Sequence, residues 1–142
     1  MKEENSYIIS TDKSKIDLHL VHHYLSQESY WAKNIPLHLV ECSIKNSLVF
    51  GVYQGKNQVG FARIISDFAT FAYLADVFIL TEHRGLGLSK MLLEHITGYP
   101  SLQGLRKWVL GTADAHELYK KFGWDATENP SIWMERQGFT GY

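Results

Sequence analysis

Residues 82–92 read EHRGLGLSKML, and the reading of this stretch decides the fold. Gly85 and Gly87 bracket Leu86 directly after Arg84, and Leu88, Met91 and Leu92 then recur at helical spacing. Ser, Thr, Asp or Asn normally caps the start of a helix. Glycines in that place imply that something must approach the backbone closely. Immediately upstream, TFAYLADVFIL (residues 70–80) is a long, almost wholly apolar run of strand composition. Strand, glycine turn and helix therefore adjoin in the order that offers free N–H groups and the positive end of a helix to an anion, for which phosphate is the natural guest. The spacing fits neither general phosphate loop. The Walker pattern needs G-x-x-x-x-G-K-S/T, and the dinucleotide pattern G-x-G-x-x-G needs a glycine where Lys90 stands. Taken alone, Gly85 and Gly87 fit a flexible turn as well as a phosphate site.

Working outward, LVFGVY, VGFARII and the long apolar run read as three consecutive strands, antiparallel because the turns at QGKNQ and SDFA are hairpin-short. A short strand at Tyr7 to Ser10 precedes them. After the entry signal STDKS a helical segment runs from about Ser14 to Gln27, with Ile16, Leu20, Tyr24 and Leu25 on one face. Pro36 fits the first turn of a second helix carrying Leu37, Val40 and Ile44. Beyond the glycines the spacing predicts a helix over 86–97, with Leu88, Met91, Leu92 and Ile96 inward and Gly98 and Pro100 ending it. KWVLGT reads as a buried strand, AHELYKKFG as a short helix stopped by Gly123, and SIWMER as a last strand.

With 142 residues, 45% of them hydrophobic, the chain suffices for one domain with a sizeable core. The 14 basic and 15 acidic side chains nearly cancel, which disfavours a nucleic-acid partner. Cys42 is the only cysteine, which excludes an internal disulfide and a multi-cysteine zinc site. A polar start without a signal-peptide core, and no apolar run near the ~20 residues that cross a bilayer, lead us to expect a soluble cytoplasmic protein with no membrane partner.

Two linked stretches carry a family resemblance. ILTEHRGLGLSKMLL resembles the acetyl-CoA signature of the GNAT superfamily of acyl-CoA-dependent N-acetyltransferases, whose core pattern is Q/R-x-x-G-x-G/A after a long strand. Arg84 and Gly87 match; Ser89 takes the final Gly/Ala place and Thr81 one often held by proline. ADAHELYKKFGW resembles the family's N-x-x-A-x-x-x-Y-x-x-x-G-F segment. Ala115, Tyr119 and Gly123 are in place, Thr112 stands for the usual asparagine and Trp124 for the usual phenylalanine. The resemblance covers essentially the whole chain. It implies one N-acetyltransferase domain over 1–142, α/β in class, with a mixed, mostly antiparallel twisted sheet flanked by helices.

It also implies function. Acetyl-CoA is the cosubstrate, and its acetyl passes to a primary amine by direct attack in a ternary complex. Amides from Gly85 through Leu86, Gly87 and Leu88 to Ser89, with the Arg84 guanidinium, would neutralise the pyrophosphate. By resemblance the strand before the turn carries a bulge and splays from the strand after the helix. Val77, Phe78 and Ile79 would then pair with pantetheine and polarise the thioester. Tyr119 would protonate the departing thiolate. A non-catalytic acyl-CoA-binding or regulatory domain is the alternative function, and a homodimer stays open.

Several residues carry two readings from the sequence. Asp76, a carboxylate in an apolar strand, is either the base that takes the acceptor's proton or a structural partner of a neighbouring group. Arg63 and Asp67 fit an exposed ion pair or turn cap better than an acceptor cleft. Tyr30 and Trp31 belong to an acceptor pocket or to the core. His19, His22 and His23 have partial ligand spacing but lack a nearby carboxylate at fixed spacing, so no metal is expected. His116 fits helix surface, Phe122 a wall, and Cys42 lies outside both motifs, which disfavours an acetyl-cysteine route. The acceptor leans toward a small cationic amine over a protein tail. Glu28, Glu41 and Asp67 are the next candidate bases after Asp76.

Overall fold

Alternating apolar segments joined by turn-forming residues become a mixed sheet in the computed structural model, which describes residues 6–138 and 141–142. Five strands lie in chain order: β1 (Tyr7–Ser10), β2 (Leu48–Gln54), β3 (Asn57–Ser66), β4 (Phe71–Ile79) and β5 (Lys107–Leu110). The first three pairings are antiparallel and β4–β5 is parallel. Hairpin-short turns allow only antiparallel pairing for β2–β3 and β3–β4, whereas the parallel pair needs a crossover, supplied by α3 (Leu88–Thr97). The β3–β4 turn is tied by Asp67, whose Oδ1 accepts from the N–H groups of Ala69, Thr70 and Phe71. Its Oδ2 accepts from the Thr70 hydroxyl. These bonds, those from Thr70 foremost, hold the carboxyl well below the ordinary range.

The opening helical segment is shorter and more broken than its periodicity predicts. A 3-10 turn over Lys13–Lys15 precedes α1 (Leu18–His23), because the Asp17 carboxylate accepts from Leu20 N–H and starts the α-helix there. A π-helical turn, Tyr24–Glu28, follows and buries Tyr24, Leu25 and Ser26 in succession. Pro36 then caps α2 (Leu37–Lys45). Val21, Tyr24, Leu25, Val40 and Ile44 from these elements pack on Val49, Phe61 and Phe78 of the sheet. Each such fully buried side chain contributes about 1.5–3 kcal/mol. The opposite face takes α3 through Leu88, Leu92, Leu93 and Ile96, with Met91 half-buried.

The chain divides into two compact units, one within Met1–Gly111 and a smaller one within Thr112–Tyr142. In the smaller, α4 (His116–Lys120) is preceded by Thr112, whose hydroxyl accepts from Ala115 N–H at 3.1 Å. Gly123 (φ 96°) turns the chain after it. Two sequence expectations are corrected. SIWMER forms no strand: residues Pro130–Ile132 make a 3-10 turn and Met134 is 95% exposed, since an apolar pattern becomes a strand only when it pairs with another. Lys107–Leu110 of KWVLGT is an edge strand, half-exposed rather than buried, because among the described residues only β4 pairs with it.

Candidate functional site

The glycine turn is built by the end of β4. Leu80 N–H donates to Val59 O at 2.8 Å, a 3-10 turn over Thr81–His83 follows, and the chain then enters Gly85 and Gly87 at φ 80° and 77°. Both lie in the left-handed region that only glycine adopts cheaply. A Cβ at either would meet nothing within 4 Å, so the molecule does not crowd them and the turn faces open space. Gly87 caps α3 without any side-chain hydrogen bond, in contrast to Asp17 at α1. The first N–H groups of a ten-residue helix thus lack a side-chain cap beside an exposed turn. Leu88 is buried and anchors the helix, Ser89 is half-buried, and Leu86 is 60% exposed.

Arg84 makes two hydrogen bonds within the fold. Its Nε donates to Ile79 O and its Nη2 to the Tyr24 hydroxyl, each at 2.9 Å. The guanidinium therefore ties the entry of the turn to β4 and to the π-helical turn after α1. The Tyr24 ring stacks on Phe78 with centroids 4.0 Å apart. On the other side of the turn, the Tyr7 hydroxyl and His83 Nδ1 lie 2.9 Å apart.

β4 carries a bulge. Phe61 opposes Phe78 while Arg63 opposes Ala75, so three steps along β4 match two along β3. The extra residue falls at Asp76–Val77, and Asp76 takes φ 55°, a left-handed conformation that Asp tolerates better than most residues. The pairing of β4 with β5 ends at Leu74 and Leu110. Beyond it, Val77, Phe78 and Ile79 have no strand partner on the side away from β3 among the described residues. The Phe78 and Ile79 side chains are buried, and Val77 is half-buried.

Both oxygens of Asp76 are occupied. Oδ2 accepts from Arg63 Nε at 2.9 Å in an ion pair whose side chains are 16% and 10% exposed, and Oδ1 accepts from the Trp31 indole N–H at 2.8 Å. Arg63 Nη1 also reaches Ser47 Oγ at 3.2 Å. These contacts pair the carboxylate with groups from β3 and from the segment between α1 and α2. Arg63 is thus in an ion pair, as the sequence reading had it, but a largely buried one. Trp31 and Tyr30 stand away from the core, 42% and 56% exposed, with rings 5.0 Å apart edge to face.

Tyr119, in the smaller unit, is buried, its ring 5.9 Å from that of Trp124, and the Trp124 backbone N–H donates to Tyr119 O. His116 is exposed and Phe122 half-buried. Elsewhere His22 Nε2 lies 2.9 Å from Ile35 O and His23 Nε2 lies 3.6 Å from Glu28. Among the described residues no group of three or more His, Cys, Asp or Glu is arranged to hold a metal ion. Cys42 is exposed on α2, beside Glu41. The links from Trp31 to Asp76 and from Tyr24 to Arg84 were not legible in the sequence. They join residues 45 and 60 positions apart, and the helical spacing of Tyr24 signals only a core face.

Comparison with known proteins bears on this site. The sequence profile of a family described as an acetyltransferase (GNAT) domain matches residues 45–126. A crystal structure from Xanthomonas campestris pv. campestris, provisionally assigned as an acetyltransferase of the GNAT family, is 51% identical with a TM-score of 0.91 and covers 93% of each chain. A Gibberella zeae relative, its acetyltransferase name likewise provisional, is 30% identical over 138 residues, 81% of this chain and 76% of its own length. An uncharacterized N-acetyltransferase of Pyropia yezoensis is 34% identical over 66% of this chain and 56% of that one.

Proposed function

We propose that this chain, which belongs to the GNAT family of acetyltransferases, moves an acetyl group from acetyl-CoA to the nitrogen of a primary amine by direct attack in a ternary complex. Membership implies acetyl-CoA as donor and an amine as acceptor. The family profile runs through both the β4–α3 junction and the Tyr119 segment, which supports assigning both units to one catalytic domain. Among the described residues no helix is long and apolar enough to cross a membrane. A cytoplasmic location is part of the proposal.

The observation that carries the reading is the open left-handed turn at the start of α3, which no side chain caps. Its N–H groups, from Gly85 to Ser89, suit the charge of a pyrophosphate, and the helix end adds a favourable field. Arg84 serves by holding the turn's entry and adding positive charge. The unpaired side of β4 at Val77, Phe78 and Ile79 suits the amide-bearing pantetheine arm as an added strand, and an N–H there polarises the thioester carbonyl. The acceptor ammonium first loses a proton. Its nitrogen lone pair forms the N–C bond and the nitrogen gives a second proton to solvent, the C–S bond breaks with its electron pair going to sulfur, and Tyr119 protonates the thiolate, regaining its proton from solvent. The sum is ammonium plus thioester giving amide, thiol and one proton. We assign Asp76 the positioning of Trp31 and Arg63 rather than the removal of that first proton.

The test is acetyl-CoA binding by thermal shift. At a hundred times Kd, the ligand should stabilise the wild type by about 2.7 kcal/mol. Gly87→Val should fold, because the site is uncrowded, but show no shift, because a β-branched residue at φ 77° cannot hold the turn. A folded Gly87→Val protein with an unchanged shift would place the donor elsewhere.

A further inference from the structure

The face of the sheet beneath α1 and α2 is covered at one end only. Cross-strand partners point the same way, so Phe61, Arg63 and Ile65 of β3 share this face with Phe78, Ala75 and Tyr73 of β4. Phe61 and Phe78 are buried under the helices, whereas Ile65 and Tyr73 are 44% and 38% exposed. The Arg63–Asp76 pair marks the boundary, and Trp31, from the segment between α1 and α2, reaches over it. Tyr30 extends the overhang. Four large apolar side chains are thus exposed around one bulge, a grouping that marks a contact surface more often than chance scatter does. Its electrostatics are selective. Arg63 and Asp76 are the only charged residues of β3 and β4, and they neutralise one another. Asp67, at the hairpin tip, spends both oxygens on its own turn. A guest with a second cationic group would lose hydration here without a free carboxylate on β3, β4 or their hairpin to replace it. An aromatic or bulky apolar flank would pack on rings already in place.

We infer that this half-covered face is the acceptor wall and that the acceptor is an arylalkylamine, a primary amine carrying an aromatic group and no second cation, selected by Trp31 in the position that Asp76 fixes. This rests on the proposed acetyl transfer. It narrows the expectation of a small cationic amine, whose grounds were balanced charge and several candidate pocket acids, to an amine with an aromatic group and no second cation. The wall and the donor segment share one strand, since Val77–Ile79 continue directly from the bulge. Trp31 acts on specificity, and no bond is made or broken by it.

The experiment has two arms, each with the full chain and free or acetylated CoA. In the first, kcat/KM is measured for phenethylamine, spermidine and glucosamine. Phenethylamine should exceed both by at least tenfold, and Trp31→Ala should raise its KM about tenfold with a much smaller change in kcat and in Tm. In the second, calorimetry with free CoA present reads phenethylamine binding without chemistry. Saturable binding to the wild type that weakens about tenfold in both Trp31→Ala and Tyr73→Ala supports the inference. Preference for spermidine or glucosamine overturns it, as does an affinity for phenethylamine that neither substitution changes or no saturable binding at all. Binding of phenethylamine as described, with no amine acetylated, would instead overturn acetyl transfer and leave the wall standing.

Discussion

Replacing Asp76 by Asn changes one atom of the bulge and isolates its electrostatics. Asn tolerates a φ of 55° at least as well as Asp, so the backbone cost is negligible, and its carbonyl oxygen can keep the Trp31 bond. What is lost is the acceptor for Arg63, whose guanidinium would face an amide N–H₂ from 2.9 Å away. Leaving one partner of a fully buried pair uncompensated costs about 3–5 kcal/mol. Because these side chains keep 16% and 10% of their exposure, we expect roughly 2–4 kcal/mol. For a chain of this length that is a fall in Tm of roughly 7–13 °C. Adding Arg63→Gln removes the stranded charge, so the double variant should recover part of the loss, with a coupling of about 1–3 kcal/mol in urea titrations. Activity separates positioning from proton transfer. If Asp76 positions Trp31 and Arg63, the Asn variant changes the acceptor KM only through the displaced Arg63 and leaves the pH profile of kcat/KM where it was. If it were the base, the loss would be deepest at low pH and partly rescued at high pH, where free amine becomes abundant. An Asn variant within about 0.5 kcal/mol of wild type that loses activity selectively at low pH would refute the assignment.

Tyr119→Phe should retain the acetyl-CoA thermal shift while turnover falls by roughly 10² to 10⁴, and unchanged turnover would assign the Tyr119 ring to packing beside Trp124. Tyr53 offers a check on the core: its hydroxyl is buried without a hydrogen-bond partner among the described residues, and burial first, then Asp12 and Asp17, push it up to about 12. A proton held more tightly in the folded state contributes stability that is whole below the unfolded value of about 10 and fades as pH rises toward 12. Tyr53→Phe should therefore be neutral or stabilising at pH 8, and its margin over wild type should grow by pH 10.5 in paired urea titrations. A margin that stays constant would contradict the burial argument.

Local pattern carried most of the fold. The three central strands have the predicted extents to within two residues, because alternation and turn residues are local properties, and β1 lies at Tyr7–Ser10 as read. SIWMER failed because a strand needs a partner, which no local pattern supplies. The opening helix broke where Asp17 offered a better cap than continued periodicity could override. The glycine turn was legible in full, since positive φ leaves a compositional trace at Gly85 and Gly87. Asp76 stood out in the sequence as misplaced, but its partners did not. Trp31 and Arg63 meet it only through the tertiary fold, and a lone carboxylate in an apolar run looks the same whether it is reactive or satisfied.

Acetyl transfer itself is tested most directly by mass spectrometry of the product. The protein is incubated with acetyl-CoA carrying a ¹³C-labelled acetyl group and an equimolar mixture of phenethylamine, spermidine, glucosamine, lysine methyl ester and a peptide with a free N-terminus. The account predicts labelled amide on an amine nitrogen, with free CoA thiol released in equal amount and both lost together in Gly87→Val. Labelled amide on none of the amines, from a protein that acetyl-CoA still stabilises against heat, would contradict it and make the chain a CoA-binding domain without transfer.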